Sequence, residues 1–245
     1  VQQKQLSNIS MTRINKYLAD NQYCSRREAD ALIIRGKVLV NGKPAKLGDQ
    51  VSEHDEVFVD GVQSEERAYY AYYKPAGVVT INAQEGEKEI SDVITFPQKV
   101  YPLGRLDKES EGLIIMTNDG RMTDALLNPT RAHEKEYEVM VDKKASNELL
   151  QGLINGVRIG KVGTAKNYKT KPTKARRTAP NVIEIILTEG KNRQIRKMVG
   201  AHGYGVKRLK RFRILNIRIN NLKANQLRRI DGKEKALLLQ HLGLN

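Results

Sequence analysis

The chain has 245 residues, 39% of them hydrophobic, and a formal net charge of +15. That length allows one sizeable domain and one small one around packed cores, and the lack of a long apolar run excludes a membrane-spanning helix. Cys24 is the one cysteine, which rules out an internal disulfide and a cysteine-rich metal site and fits a reducing, cytoplasmic setting, as does a polar start without the apolar stretch of a secretory signal.

Residues 12–60 read as a compact module. Arg13-Ile14-Asn15-Lys16-Tyr17-Leu18-Ala19 spaces its apolar residues for a helix. Ser25-Arg26-Arg27-Glu28 has the form of a capping box, and the helix it opens ends at Gly36. Val38-Leu39-Val40-Asn41-Gly42-Lys43 reads as a strand running into a hairpin turn, with a closing strand over Val57-Phe58-Val59-Asp60-Gly61. This order, together with Asn15-Lys16-Tyr17-Leu18, Cys24-Ser25-Arg26-Arg27-Glu28-Ala29 and Val40-Asn41-Gly42-Lys43, resembles the S-four type of RNA-binding domain. The resemblance implies a small domain over residues 11–62 in which Arg13, Lys16, Arg26, Arg27 and Lys37 contact phosphates. A net charge of +1 over residues 1–62 keeps an ordinary solvated helix face as the competing reading.

The polar residues 63–67 read as a linker to a second domain over 68–245. There Ala71-Tyr72-Tyr73 leads into Lys74-Pro75-Ala76-Gly77, which we read as a loop shaped against its neighbours. Gly112-Leu113-Ile114-Ile115-Met116-Thr117 is a buried strand ended by the turn Asn118-Asp119-Gly120, and a helix follows that stops before Pro129. Glu136-Tyr137-Glu138-Val139-Met140-Val141 alternates like a half-buried strand, and residues 147–154 gather Leu149, Leu150, Leu153 and Ile154 on one helical face. Strands over 162–188, a helix near 192–202, strands over 205–219 and a helix over 232–242 follow. Asp231-Gly232-Lys233-Glu234 reads as a second capping box. The pattern predicts an α+β fold with a mixed, mostly antiparallel sheet flanked by helices. Residues 161–230 hold twenty Lys and Arg against two Asp and Glu, whereas residues 63–160 sum to −4. Basic side chains interleaved with strand residues favour a polyanion partner such as RNA over a loose basic tail.

Asp107 lies in Gly104-Arg105-Leu106-Asp107-Lys108-Glu109-Ser110-Glu111-Gly112-Leu113, where a loop meets a buried strand. Such junctions hold catalytic groups rigidly, but spacing alone fits a surface turn at least as well. The decamer is similar to the catalytic loop of the RsuA/RluB/RluF-like ribosomal RNA pseudouridine synthases. The similarity continues in order through Lys74-Pro75-Ala76-Gly77, Thr117-Asn118-Asp119-Gly120, Glu134-Lys135-Glu136-Tyr137 and Glu189-Gly190-Lys191-Asn192-Arg193-Gln194-Ile195-Arg196-Lys197-Met198, and is closest to the RluF-like branch.

The resemblance implies a pseudouridine synthase domain that isomerises one uridine of ribosomal RNA, with large-subunit RNA favoured. Asp107 would be the ionised carboxylate at the ribose C1′, Tyr137 the ring that stacks on the freed uracil, and Arg196 the cation that keeps Asp107 charged. Arg105 would fill the gap left by the flipped nucleotide. A helical wheel places Ile195, Met198 and Val199 on one side and Arg196 on the flank, with Arg193 and Lys197 turned away toward phosphates. The reaction is an isomerisation, so no cofactor and no metal is expected, and no phosphate-binding glycine loop or methyl-donor motif is present to suggest otherwise. The expected partner is ribosomal RNA, free or within an assembling subunit, with no membrane and a monomeric chain. The rival of a different class is a non-catalytic RNA-binding ribosome-assembly factor on the same fold; an RNA methyltransferase is a third reading.

Overall fold

The computed structural model describes residues 11–52, 54–160 and 167–244, and the chain divides into two compact units. The first comprises residues up to Arg67 with Asn118–Arg121. Its elements are β1 (Thr12–Arg13), α1 (Ile14–Asp20), α2 (Arg26–Ile34), β2 (Val38–Val40), β3 (Lys43–Pro44), β4 (Gln50–Val51) and β5 (Val57–Val59). Ser25 caps α2 as expected: its hydroxyl accepts from the Glu28 amide while the Glu28 carboxylate accepts from the Ser25 amide. Asn41 and Gly42 both have positive φ, 50° and 75°, which is what a tight β2–β3 hairpin needs. Ile14, Leu18, Ala29, Ile33, Val38, Val51 and Val59 close a core of this unit's own.

The second unit is built on a nine-stranded sheet. In chain order its elements are β6 (Tyr69–Lys74), α3 (Ile90–Val93), β7 (Tyr101–Leu103), β8 (Glu111–Thr117), α4 (Arg121–Leu127, whose first residue clusters with the first unit), β9 (Lys135–Val141), α5 (Asn147–Asn155), β10 (Arg158–Ile159), β11 (Tyr168–Lys169), β12 (Lys174–Ala179), β13 (Val182–Leu187), α6 (Gln194–Gly200), β14 (Val206–Ile214), β15 (Ile217–Arg218), β16 (Leu227–Arg229) and α7 (Gly232–Leu242). The main path runs β12-β13-β9-β14-β8-β6-β16, with β7 on β8 and β15 on β14. Strand β14 runs parallel to β8; among the described residues every other strand pair in this sheet is antiparallel. One apolar cluster includes Tyr72, Ile114, Val139 and Ile185 with Leu149, Leu153, Ile195 and Met198 of α5 and α6. A second joins Tyr69, Tyr73, Leu113 and Ile115 to Met122 and Leu126 of α4 and Leu238 and Leu242 of α7. The result is a mixed, mostly antiparallel sheet between helices, an α+β architecture.

One local expectation needs correction, and two others hold with narrower limits. Asp231 makes no side-chain capping bond, because Glu234 is drawn to Arg228, its carboxylate oxygens taking both guanidinium nitrogens at 2.5 and 2.7 Å. The helix expected near 192–202 starts only at Gln194: Arg193 before it is left-handed, with φ 50°. Residues 205–219 form strands as expected, one of nine residues and a short partner, with irregularities near Lys207 and Phe212 in the pairing of β14 with β9. The strand expected from residue 162 lies outside the described residues up to 166.

Candidate active site

The loop from Gly104 to Ser110 is an irregular segment held on all sides by backbone hydrogen bonds. Gly104 enters it with φ 78°, a conformation open to glycine at little cost. The Ser110 amide returns to the Asp107 carbonyl at 3.0 Å and closes a turn. The Gly77 amide donates to the Lys108 carbonyl at 2.7 Å, so the Lys74-Pro75-Ala76-Gly77 segment does brace the loop as expected. Thr80, which no sequence motif marks for a role, bonds both backbone groups of Leu106. Asp107 is thereby half-buried just before β8, an interior strand of the sheet.

Gly112 explains the adjoining Gly-Leu pair. A Cβ at this position would lie 2.2 Å from the Arg211 carbonyl oxygen and 2.7 Å from the Arg211 nitrogen, so only glycine lets β14 come alongside β8. The same register forms a row across four strands: Lys74 pairs with Gly112, Gly112 with Arg211, and Arg211 with Tyr137. Tyr137 is 7% exposed and belongs to the first apolar cluster.

Lys74 is fully buried, with its ammonium donating to the Pro75 carbonyl at 2.8 Å and the Val78 carbonyl at 2.6 Å. Burial pulls its pKa down to about 8, against the opposing pull of the negative charges of Asp107, Glu111 and Glu109; the positive charge of Arg211 adds to the lowering. Asp107 therefore sits within electrostatic range of a buried cation whose motif marks it only as part of a loop. Arg211 is 4% exposed, donates through Nε to the Leu113 carbonyl at 2.8 Å and has a buried Nη2 without a hydrogen-bond partner.

Arg196 does not meet Asp107 directly. Among the described residues no ion pair within 4 Å joins them. Its Nη2 reaches the Glu109 carbonyl at 3.3 Å and the Ser110 hydroxyl at 3.4 Å, and its Nη1 reaches the Val206 carbonyl at 3.3 Å. On α6 itself Ile195, Met198 and Val199 are buried, Arg196 is half-buried and Lys197 is exposed. Arg193, ahead of the helix, pairs with Glu109 at 2.9 Å, so two arginines hold the far end of the loop. Hydrogen bonding to Arg193, aided by the charge of Arg196, holds the Glu109 carboxyl below its usual range. Arg105 is exposed on the loop, and Lys197 bonds to Asn192.

In the first unit Arg13, Lys16 and Arg26 converge with Asn15, Thr12 and Gln50 around a surface cleft of about 460 Å³. Arg27 and Lys37 are exposed but do not line it; Lys37 is paired with Asp60. Lys16 also pairs with Asp20, at 2.6 Å, one turn along α1.

Residues 68–201 match the family described as RNA pseudouridylate synthase, and residues 12–57 match the S4 domain. The dual-specificity RNA pseudouridine synthase RluF of Escherichia coli (strain K12) is 41% identical over 231 residues, covering 92% of this chain and 77% of its own. The chain belongs to the RNA pseudouridylate synthase family. Pseudouridine synthases are isomerases, which move uracil from an N- to a C-glycosidic linkage. The ribosomal large subunit pseudouridine synthase B of Bacillus subtilis (strain 168) is 38% identical over 217 residues, 85% of this chain and 88% of its own. The fold agrees with the crystal structure of a pseudouridylate synthase at a TM-score of 0.67 and 24% identity, covering 94% of this chain and 99% of that one. In this family setting, the braced loop, Arg196 and Tyr137 fall within the matched segment.

Proposed function

We propose that this pseudouridine synthase isomerises a uridine of ribosomal RNA, in the large subunit, with Asp107 as the carboxylate at the ribose C1′. The observation that carries the reading is the loop itself. Asp107 is the half-exposed acidic residue between two neighbours whose backbones are pinned, Leu106 by the buried Thr80 hydroxyl and Lys108 by the Gly77 amide, as a group that must meet C1′ requires. The N1–C1′ bond breaks, the uracil turns, C5 bonds to C1′, and the C5 proton leaves to water while N1 takes up a proton from water. Tyr137 offers a flat ring for the freed uracil, and Arg211 is its register neighbour on β14. Arg196 serves by holding the loop through Glu109 and Ser110, and Lys74 adds a buried positive charge within electrostatic range of Asp107.

Arg105 enters the space of the flipped nucleotide, and Arg193 and Lys197 meet phosphates beside it. The cleft of Arg13, Lys16 and Arg26 takes backbone phosphates, and the exposed Arg27 and Lys37 outside it contact further phosphates. We divide the chain functionally into an RNA-binding domain at 11–62 and a catalytic domain at 68–245. It acts as a monomer in the cytoplasm, where ribosomal subunits assemble; no helix among the described residues is long and apolar enough to cross a membrane. Carbodiimide-treated primer extension on ribosomal RNA from cells with and without this gene tests the reading. One large-subunit stop should disappear with the gene; an unchanged pattern would refute it.

A further inference from the structure

We propose that Thr80 is a positioning residue for the reaction, fixing the backbone of Leu106 and with it the reach of the Asp107 carboxylate. The proposal rests on the assignment of Asp107 as the reacting carboxylate. Thr80 is 2% exposed. Its Oγ1 donates to the Leu106 carbonyl at 2.8 Å and accepts from the Leu106 amide at 3.1 Å. A residue in an irregular loop has no ladder or helix to satisfy its two backbone groups. Here one hydroxyl, able to donate and accept at once, satisfies both. No carboxylate, amine or aliphatic side chain of similar size could do the same.

The clamp has a counterpart on the other side of Asp107, where the Gly77 amide holds the Lys108 carbonyl at 2.7 Å. The segment 77–80 therefore grips the residues immediately before and after the aspartate. Thr80 has its own anchorage: the Val79 amide bonds to the Lys88 carbonyl at 2.8 Å, and Val78 lies buried in the apolar cluster that also takes Leu106. The hydroxyl thus ties the catalytic loop to a fixed wall. Thr80 touches no reacting atom in this scheme; it acts through Leu106. A displacement of about 1 Å at a reacting group can cost on the order of a hundredfold in rate, so the chemical step should feel the loss of the clamp while RNA affinity should not.

The test uses the full chain with Thr80→Ser, Thr80→Ala, Thr80→Val and, as control, Asp107→Asn. The substrate is ribosomal RNA from cells lacking this gene, tritiated at uracil C5, with single-turnover tritium release, RNA dissociation constant and thermal melting measured for each. Ser keeps the hydroxyl and should react near the wild-type rate. Ala and Val drop it and should be slower by roughly 10- to 100-fold, with the dissociation constant unchanged. The Ser–Ala pair isolates the hydroxyl, since both lack the methyl group. Wild-type rates for folded Ala and Val variants beside an inactive Asp107→Asn would overturn the proposal. A Ser variant as slow as Ala would overturn it too, as would failure of both Ala and Val variants to fold, which would make the hydroxyl merely structural. Full activity in Asp107→Asn would remove the catalytic assignment, and this proposal with it.

Discussion

Asp107 draws its precision from neighbours rather than from its own contacts. Residues 106, 108 and 110 each take part in a hydrogen bond that restricts the loop, and the arginines at 193 and 196 close its far side. Gly112 is the position where this arrangement is least tolerant. Its φ of 112° and the 2.2 Å approach to the Arg211 carbonyl leave a Cβ nowhere to go, and the obstacle is backbone. Gly112→Ala should therefore cost at least about 2 kcal/mol from strain and overpacking, lowering the melting temperature by roughly 4–8 °C; an unchanged melt would contradict the strand register. The motif made Gly112 visible in the sequence but not its reason, because a close approach between strands 99 positions apart leaves no local pattern. Thr80 was invisible for the same cause. The guanidinium of Arg196 is legible as a flank residue of α6, but its bonds to Glu109 and Ser110 are not: a wheel gives direction around a helix and says nothing of which acceptor the loop folds toward it.

At the scale of elements, β6 is the most unusual strand, buried along all six residues although it carries Tyr69, Tyr70, Tyr72, Tyr73 and Lys74. Burial pushes Tyr72 and Tyr73 up to about 12, with the Glu111 carboxylate hydrogen-bonded to Tyr73 adding to the latter. It pulls Lys74 and, on β9, Lys135 down to about 8. Between pH 8 and about 10 the unfolded chain keeps protons on these lysines that the folded chain has released, so these groups make stability rise with pH. From about pH 10 to 12 the unfolded tyrosines ionise while the folded ones stay protonated, and their contribution is lost. Urea midpoints measured from pH 7 to 12 should rise and then fall, and a Lys74→Met, Lys135→Met double variant should lose the rise; a rise of equal size in that variant would contradict the burial of these amines. Regular elements were the most legible part of the sequence. The capping box at Ser25 and the strand at 135–141 follow from local pattern, whereas the box at Asp231 failed because Arg228 on the neighbouring β16 competes for Glu234.

Over the whole molecule, charge summed by segment overstates the free positive field. Arg193, Arg208 and Arg213 of the basic stretch pair with Glu109, Glu111, Glu134, Glu136 and Glu138 of the acidic one. Strand pairing β9–β14 and β14–β8 brings the two stretches together, which a running sum cannot register. The small unit shows the converse: at +1 over residues 1–62 it looked weak, yet Arg13, Lys16 and Arg26 converge on one cleft. Replacing these three by Ala should weaken RNA binding and reduce the slope of log affinity against log salt by about 2–3, since each phosphate contact contributes roughly 0.7–0.9. An unchanged slope would mean that the cleft does not meet phosphate.

The central claim is that one carboxylate performs the isomerisation on RNA that the rest of the chain holds. Tritium release from C5-labelled ribosomal RNA by Asp107→Asn protein, with RNA affinity measured alongside, tests it most directly. The expected result is wild-type affinity with no tritium released; release at the wild-type rate would contradict it.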